Sequence, residues 1–255
     1  MKKYCLLFTI LILCMHSISA KIKNGYEKEI ISRRLSLKGL HDILRSNNNL
    51  SLSEKKKIKD KIKSLIDYIS YYELTENLLE QLRTIAPDLY HEIDTIKDSK
   101  GSITDVYVKF IPKEQARIQA AGTTSIAHAA DDRNTYSSEY GEGTVAVNIW
   151  IVSKALWVLS HELGHVKYQV PNLSSYLQFH KDNYHNRITD PNCVGHNTND
   201  PSGKNAISFD HKFNENYIDY QRKGNNHVVS PLVLIQDIRK RVQLEMMAVY
   251  PLASL

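Results

Sequence analysis

Three residues in one short segment have the types and spacing of a metal site. His161 and His165 are four positions apart, and Glu162 directly follows the first histidine. Residues four apart share a face of a helix, so both imidazoles can reach one Zn²⁺ at about 2.0–2.1 Å. Glu162 would then lie beside the metal's open position and could take a proton from water whose acidity the metal raises. Two histidines do not complete a zinc site, so a third ligand must come from elsewhere in the chain.

Two carboxylates further along the chain could complete this site. Glu215 and Asp219 are four positions apart, in a segment predicted to be a helix that follows Asp210 as a possible cap and ends at Gly224. One carboxylate can bind the metal while the other accepts the ring N–H of a ligand histidine. The pattern therefore predicts two helices that meet at one zinc ion.

The two motifs together resemble those of the gluzincins, the thermolysin-like clan of zinc metallopeptidases. The resemblance depends on the sequence HELGH at 161–165 and on the NExxxD pattern at 214–219. It covers roughly residues 103–224. The resemblance implies hydrolysis of peptide bonds in a peptide or protein, with Zn²⁺ as cofactor. It implies the following roles: zinc ligands His161, His165 and Glu215, general base Glu162, and Asp219 as the partner that orients His161.

The same resemblance implies a substrate-binding edge strand just before the active-site helix. Residues 144–151 alternate in polarity and occupy that position, and Asn148 and Trp150 share one face of the predicted strand. We therefore expect Asn148 and Trp150 to contact the substrate.

Several alternatives stay open. Four histidines could replace Glu215 as third ligand: His180, His185, His196 and His211. Three side chains could donate a hydrogen bond to a tetrahedral oxyanion: Tyr217, Tyr220 and His227. Cys193 could cap the zinc as a thiolate. A function of another class is an exported binding or structural protein that keeps a zinc site without turnover.

The elements that must position these residues follow from periodicity and punctuation. Residues 40–100 contain no glycine and only Pro87, which predicts a helical amino-terminal region over about 25–98, with a helix capped near Ser51. Strands are predicted at 106–110, 123–129 and 144–151, the active-site helix at 153–169, and a last helix at 232–249. The predicted class is α+β and zincin-like, with a small, twisted, mainly antiparallel sheet.

The predicted domain organisation has three parts. Residues 1–20 are a signal peptide, 21–100 a helical region, and 101–255 a zincin-like domain with a polar insertion at 171–212. The helical region is either a subdomain or an inhibitory prosegment. The signal is predicted because a basic start precedes an apolar run from Tyr4 to Met15 and small residues up to Ala20, where cleavage is expected. This predicts a secreted or periplasmic protein without stable membrane insertion.

Composition narrows the remaining classes of function. The 255 residues are 42% hydrophobic and 24% charged, which is typical of soluble domains. Loss of Lys2 and Lys3 with the signal lowers the net charge from +5 to +3, too little to indicate nucleic-acid binding. The lysine run at 55–63 is interpreted as a solvated helix face because Asp60 and Asp67 interrupt it. Only Cys193 remains after cleavage, so no internal disulfide can form, and metal removal should cost stability as well as activity.

Overall fold

A computed structural model describes residues 22–102, 104–115, 121–126, 144–182, 200–225 and 228–249. The predicted signal peptide lies outside these ranges, so export and cleavage near Ala20 stay predictions. Also outside them are four of the candidate residues and one side chain: His185, Cys193, His196, His227 and the imidazole of His180. Within the described ranges, no helix combines the length and the apolar character needed to span a membrane.

The described chain is α+β, with seven α-helices and four β-strands. In chain order they are β1 (Ile22–Asn24), α1 (Glu27–Ser46), α2 (Leu52–Ile85), α3 (Pro87–Asp94), β2 (Val106–Ile111), β3 (Gly122–Ile126), β4 (Val145–Trp150), α4 (Ala155–Gln169), α5 (Leu173–Asp182), α6 (Pro201–Arg222) and α7 (Pro231–Val249). The predicted strands at 106–110, 123–129 and 144–151 are confirmed within a few residues. The short strand β1 was not predicted, because three residues are too few to show an alternating pattern.

The four strands form one mixed sheet in the order β1-β2-β4-β3. β1, β2 and β4 are parallel neighbours, and only β3 runs antiparallel, beside β4. The prediction of a mainly antiparallel sheet is therefore wrong. Parallel neighbours need a long crossover, and helices α1 to α3 supply it between β1 and β2. Among the described strands, β3 stands at the edge and β4 is interior.

The helical amino-terminal region shares its core with the rest of the chain. One cluster of buried residues contains Leu74, Leu78 and Leu82 of α2 together with Phe110 of β2 and Leu159 of α4. β1 also belongs to the same sheet as β2. Residue 100 therefore does not separate two independent cores. That residues 21–100 are an inhibitory prosegment stays a prediction. Removal of these residues would uncover this core.

Local sequence accounts for the start of α2. Ser51 Oγ accepts a hydrogen bond from the Glu54 backbone N–H, while a Glu54 carboxylate oxygen accepts one from the Ser51 backbone N–H. This capping box satisfies two of the backbone N–H groups that a helix start leaves without partners. The predicted cap is confirmed, and the two helical patterns before Pro87 belong to one continuous helix.

The helix α6 begins ten residues earlier than the sequence predicted. Its cap is Asp200, whose carboxylate accepts a hydrogen bond of 2.9 Å from the Ser202 backbone N–H. The predicted cap, Asp210, therefore lies in the middle of the helix. The segment predicted as an insertion, 171–212, contains α5 and the first half of α6. The predicted end is confirmed, since Gly224 has a φ of +79°, a conformation that suits glycine.

Candidate metal and acid–base site

The helices α4 and α6 pack side by side and run in opposite directions. Trp157 Nε1 donates to Asn214 Oδ1 at 2.8 Å, whereas His165, two turns later in α4, contacts Ser202 near the start of α6. Between these contacts the backbones come very close. A Cβ on Gly164 would lie 2.5 Å from the Ala206 Cα and 2.8 Å from the Asn205 carbonyl oxygen. This approach sets which residues of α6 face the HELGH segment.

We expect Gly164→Ala to destabilise the protein by about 1–3 kcal/mol, because the added methyl overlaps backbone that cannot move without separating the helices. Chemical denaturation measures this free energy of unfolding. Gly39→Ala is the matched control, since it is also a helical glycine and nothing lies within 4 Å of the position that its Cβ would take. There the methyl should stabilise by about 0.5–1 kcal/mol. Equal effects at both positions would contradict the close approach.

The two histidines of the motif are each held by a residue of α6. His161 Nδ1 lies 2.7 Å from Asp210 Oδ2, and His165 Nδ1 lies 2.8 Å from Ser202 Oγ. The ring centroids are 5.1 Å apart. Ligand histidines in proteins usually donate one ring N–H to such a partner and bind the metal through the other nitrogen. Both Nδ1 contacts are therefore of the kind that ligand histidines make.

Asp210 interacts with His161 through its negative charge as well as through the hydrogen bond. Burial by itself lowers the pKa of His161, but the hydrogen bond and negative charge of Asp210 outweigh it and raise the pKa above its ordinary value. A carboxylate in this position makes an imidazole more basic and orients its ring. Asp210 thus takes the role that the sequence motif assigned to Asp219.

Glu162 is almost fully buried beneath β3, with 7% of its surface exposed. Thr124 Oγ1 in β3 donates a hydrogen bond of 2.7 Å to Glu162 Oε2. Burial raises the pKa of the Glu162 carboxyl, although the hydrogen bond from Thr124 and the charge of His161 oppose this. A carboxylate whose pKa is shifted towards neutrality is suited to accept and return a proton.

A glycine makes room for this carboxylate. A Cβ on Gly122 of β3 would lie 2.8 Å from Val158 Cγ1 and 2.9 Å from Glu162 Cγ. The strand can therefore approach α4 closely only because Gly122 has no side chain. In consequence β3 lies directly against the general-base candidate.

The structure does not bring Glu215 and Asp219 to the histidines. Both are exposed, and the Asp219 carboxylate lies 3.3 Å from the Arg222 guanidinium. Asn214, directly before Glu215, already contacts Trp157, a full turn before His161. The reason is the packing register of α6 on α4. His211, an alternative ligand, is also exposed on α6.

The third zinc ligand is absent from the described part of α6. Asn205 and Asp210 repeat the spacing of Asn214 and Asp219, so the position equivalent to Glu215 is Ala206, which is buried against Gly164. Across the described ranges, no three His, Cys, Asp or Glu side chains are grouped so as to hold a metal ion. The zinc site therefore stays a prediction, for which the structure contains two suitable ligands and their supports.

The substrate strand also differs from the prediction. β4 is hydrogen-bonded on both sides, by β2 and by β3, so it is not an edge strand. Asn148 and Trp150 are buried, with 5% and 7% of their surfaces exposed. A peptide cannot pair with the backbone of β4, and the prediction of β4 as the edge strand is wrong.

Sequence reasoning missed three residues of this site: Thr124, Ser202 and Asp210. The spacing of Asn205 and Asp210 could have indicated the correct part of α6, but Ala206 removes the glutamate that makes the motif visible. Thr124 and Ser202 have no sequence signal, because their roles depend on which elements lie beside α4.

Comparison of the chain with protein-family models, with curated proteins and with solved structures finds no match in any of the three.

Proposed function

We propose that this chain is a zincin-like zinc metallopeptidase that hydrolyses peptide bonds. One observation carries the proposal. The two motif histidines are anchored through Nδ1 by Asp210 and Ser202, while Glu162, the residue after His161, is buried and bonded to Thr124. Histidines on a helix face that serve only packing or solubility do not need two such partners and an adjacent carboxyl with a raised pKa.

His161 and His165 would hold the zinc ion through Nε2. A zinc ion at this place supplies a Lewis acid that polarises the substrate carbonyl and makes water a stronger acid. Asp210 and Ser202 keep the two rings in the orientation and tautomer that metal binding needs. Gln169 supports this arrangement, because its Nε2 donates to Ser202 Oγ at 3.1 Å.

Glu162 would move the proton in the reaction. Its carboxylate takes a proton from the attacking water as the oxygen bonds to the scissile carbonyl carbon, and it delivers that proton to the amine nitrogen when the C–N bond breaks. Thr124 holds one carboxylate oxygen, Oε2. The other oxygen, Oε1, lies beside Gly122, where a Cβ would come within 3.0 Å of it.

The substrate backbone would lie on β3. This strand is at the edge of the described sheet and reaches Glu162 through Thr124. An extended peptide can add to such an edge through main-chain hydrogen bonds, which would place it beside the carboxylate. Substrate binding thus moves from the predicted Asn148 and Trp150 to the neighbouring strand.

Metal content and cleavage of an unstructured protein test the proposal together. We expect purified protein to contain about one zinc ion per chain, to cleave unfolded casein, to lose cleavage after chelation, and to regain it when zinc is added back. Cleavage that survives complete zinc removal would overturn the metal mechanism. A protein that binds no zinc would overturn the site.

A non-catalytic zinc protein is the second candidate, and Ala206 is the observation that favours it. This residue stands where the gluzincin pattern has a ligand glutamate, and it is fully buried. Such a protein would contain zinc but would leave unstructured peptides intact under the same assay. Zinc binding without cleavage would therefore decide for this candidate.

A further inference from the structure

The net charge of this chain is concentrated at one end of a helical hairpin. We call residues 38–63, from late α1 to the first third of α2, the hairpin tip. It contains eight basic and three acidic residues, a net charge of +5, which equals the net charge of the whole chain. The basic residues are Lys38, Arg45, Lys55, Lys56, Lys57, Lys59, Lys61 and Lys63. The remainder of the chain therefore carries balanced charge.

Most of the hairpin tip lies outside the core, although Ile62 belongs to the buried cluster and Leu40, Leu44 and Ile58 pack against it. Residues 42–61 form a run of twenty positions in which no residue is buried. Two aliphatic side chains lie in this run with large exposed fractions, 88% for Leu52 and 44% for Ile43. Leu52 is the first residue of α2, beside the loop that joins the two helices. The tip thus presents an apolar group at its end, between basic side chains.

Within the part of the chain that the structure describes, the basic residues of the tip are not neutralised by ion pairs. Among the described residues, no acidic group forms an ion pair with any of the eight. Elsewhere such pairs are common: Arg34 with Glu73, Lys167 with Glu92, Arg239 with Asp67. Asp67, one of the two aspartates that interrupt the lysine run in the sequence, thus forms its ion pair with Arg239 of α7.

The spacing of the lysines costs helix stability. Lys55 and Lys59, Lys57 and Lys61, and Lys59 and Lys63 are like-charged pairs four residues apart, a spacing that destabilises a helix. Cations near a helix start also gain nothing from the helix dipole, which favours them at the opposite end. A solvated face does not require this arrangement, whereas an anionic partner would be attracted by it.

We propose that the hairpin tip docks reversibly on the surface of an anionic phospholipid bilayer. Clusters of four to eight basic residues are attracted to such surfaces, and the exposed Leu52 can enter the boundary between headgroups and acyl chains. Seven of the eight basic residues are lysines, which act as point charges rather than as bidentate phosphate ligands. The tip also contains no Phe, Tyr or Trp on which a base could stack, and its one histidine, His41, is buried. These features favour a lipid surface over a nucleic acid.

Vesicle co-sedimentation of the full chain tests this proposal. We expect binding to vesicles of phosphatidylcholine with phosphatidylglycerol, little binding to phosphatidylcholine alone, and release by added salt. A variant with Lys55, Lys56, Lys57 and Lys59 changed to glutamine should bind about 1,000-fold more weakly, since each lysine near the surface contributes about 1 kcal/mol. Leu52→Ser should weaken binding by about 10-fold. All five side chains lie away from the core, and circular dichroism checks that the variants fold.

The matched control removes the same charge elsewhere. Lys97, Lys100, Lys204 and Lys223 are exposed and lie outside the tip, so their change to glutamine should leave most of the binding intact. Equal loss in both variants would mean that only net charge matters and would overturn docking by the tip. Absence of binding to anionic vesicles would also overturn it, as would tip-dependent binding to an oligonucleotide without binding to vesicles.

Discussion

Glu162→Gln should lower the rate of peptide cleavage by about 10²–10⁴-fold, the range for loss of a general acid–base group. Glutamine has the shape of glutamate and can still accept the hydrogen bond from Thr124 through its carbonyl oxygen. It cannot take a proton from water at neutral pH. The loss should therefore appear in kcat, measured with a fluorogenic unstructured substrate, while zinc content stays at the level of the parent protein.

Two measurements separate this loss from a folding defect. Burial raises the pKa of Glu162, so the folded state disfavours its charged form, and a neutral glutamine should leave the Tm of the zinc-free protein unchanged or higher. Glu114→Gln is the control, because Glu114 is an exposed residue distant in sequence from the motif. Its cleavage rate should equal that of the parent. Unimpaired cleavage by Glu162→Gln would rule out the proposed role of this carboxylate.

Asp210→Ala should weaken zinc binding by about 10–100-fold, the usual cost of losing the hydrogen-bond partner of a ligand histidine. Without Asp210, the ring of His161 loses both its orientation and the negative charge that raises its pKa. Competition with a zinc-binding dye measures the affinity. A variant that still folds but releases zinc more readily would show the effect directly.

The same zinc-affinity measurement decides which part of α6 faces the motif histidines: Asp210, as in the structure, or Glu215 and Asp219, as the sequence motif predicts. The sequence motif predicts that Glu215→Ala and Asp219→Ala impair zinc binding, whereas their exposure in the structure predicts no change. Asp219→Ala is thus a matched control for Asp210→Ala, since both remove an aspartate from α6. Loss of zinc in Glu215→Ala with normal affinity in Asp210→Ala would contradict the packing of α6 on α4.

The structure changes the expected effect of metal removal on stability. The cysteine-poor composition predicts a loss of stability together with the loss of activity. From sequence, zinc was expected to join two helices across a long insertion. In the structure α4 and α6 already pack through Gly164 and Ala206, and Trp157 makes an edge-on contact with Phe213, with ring centroids 5.3 Å apart. These contacts do not depend on a metal. We therefore expect chelation to reduce activity more than it reduces stability.

Local features of this protein follow from its sequence. The apolar stripe of α4, the strands β2 and β4 with their alternating sequence, and the capping box at Ser51 each depend on residues a few positions apart, although both faces of β4 are buried. Their periods of 3.6 and 2 can be counted without knowing any neighbour. For the same reason the sequence places His161, Glu162 and His165 correctly on one helix.

Only the tertiary structure decides which residues meet these three. Sequence periodicity predicts the faces of a helix but not its register against another helix, which here depends on the fit of Gly164 against Ala206. That fit brings Asp210 to His161 and leaves Glu215 exposed. The order of strands likewise makes β3 an edge strand and β4 an interior one. Both results depend on contacts between segments far apart in the chain, and no local pattern records them.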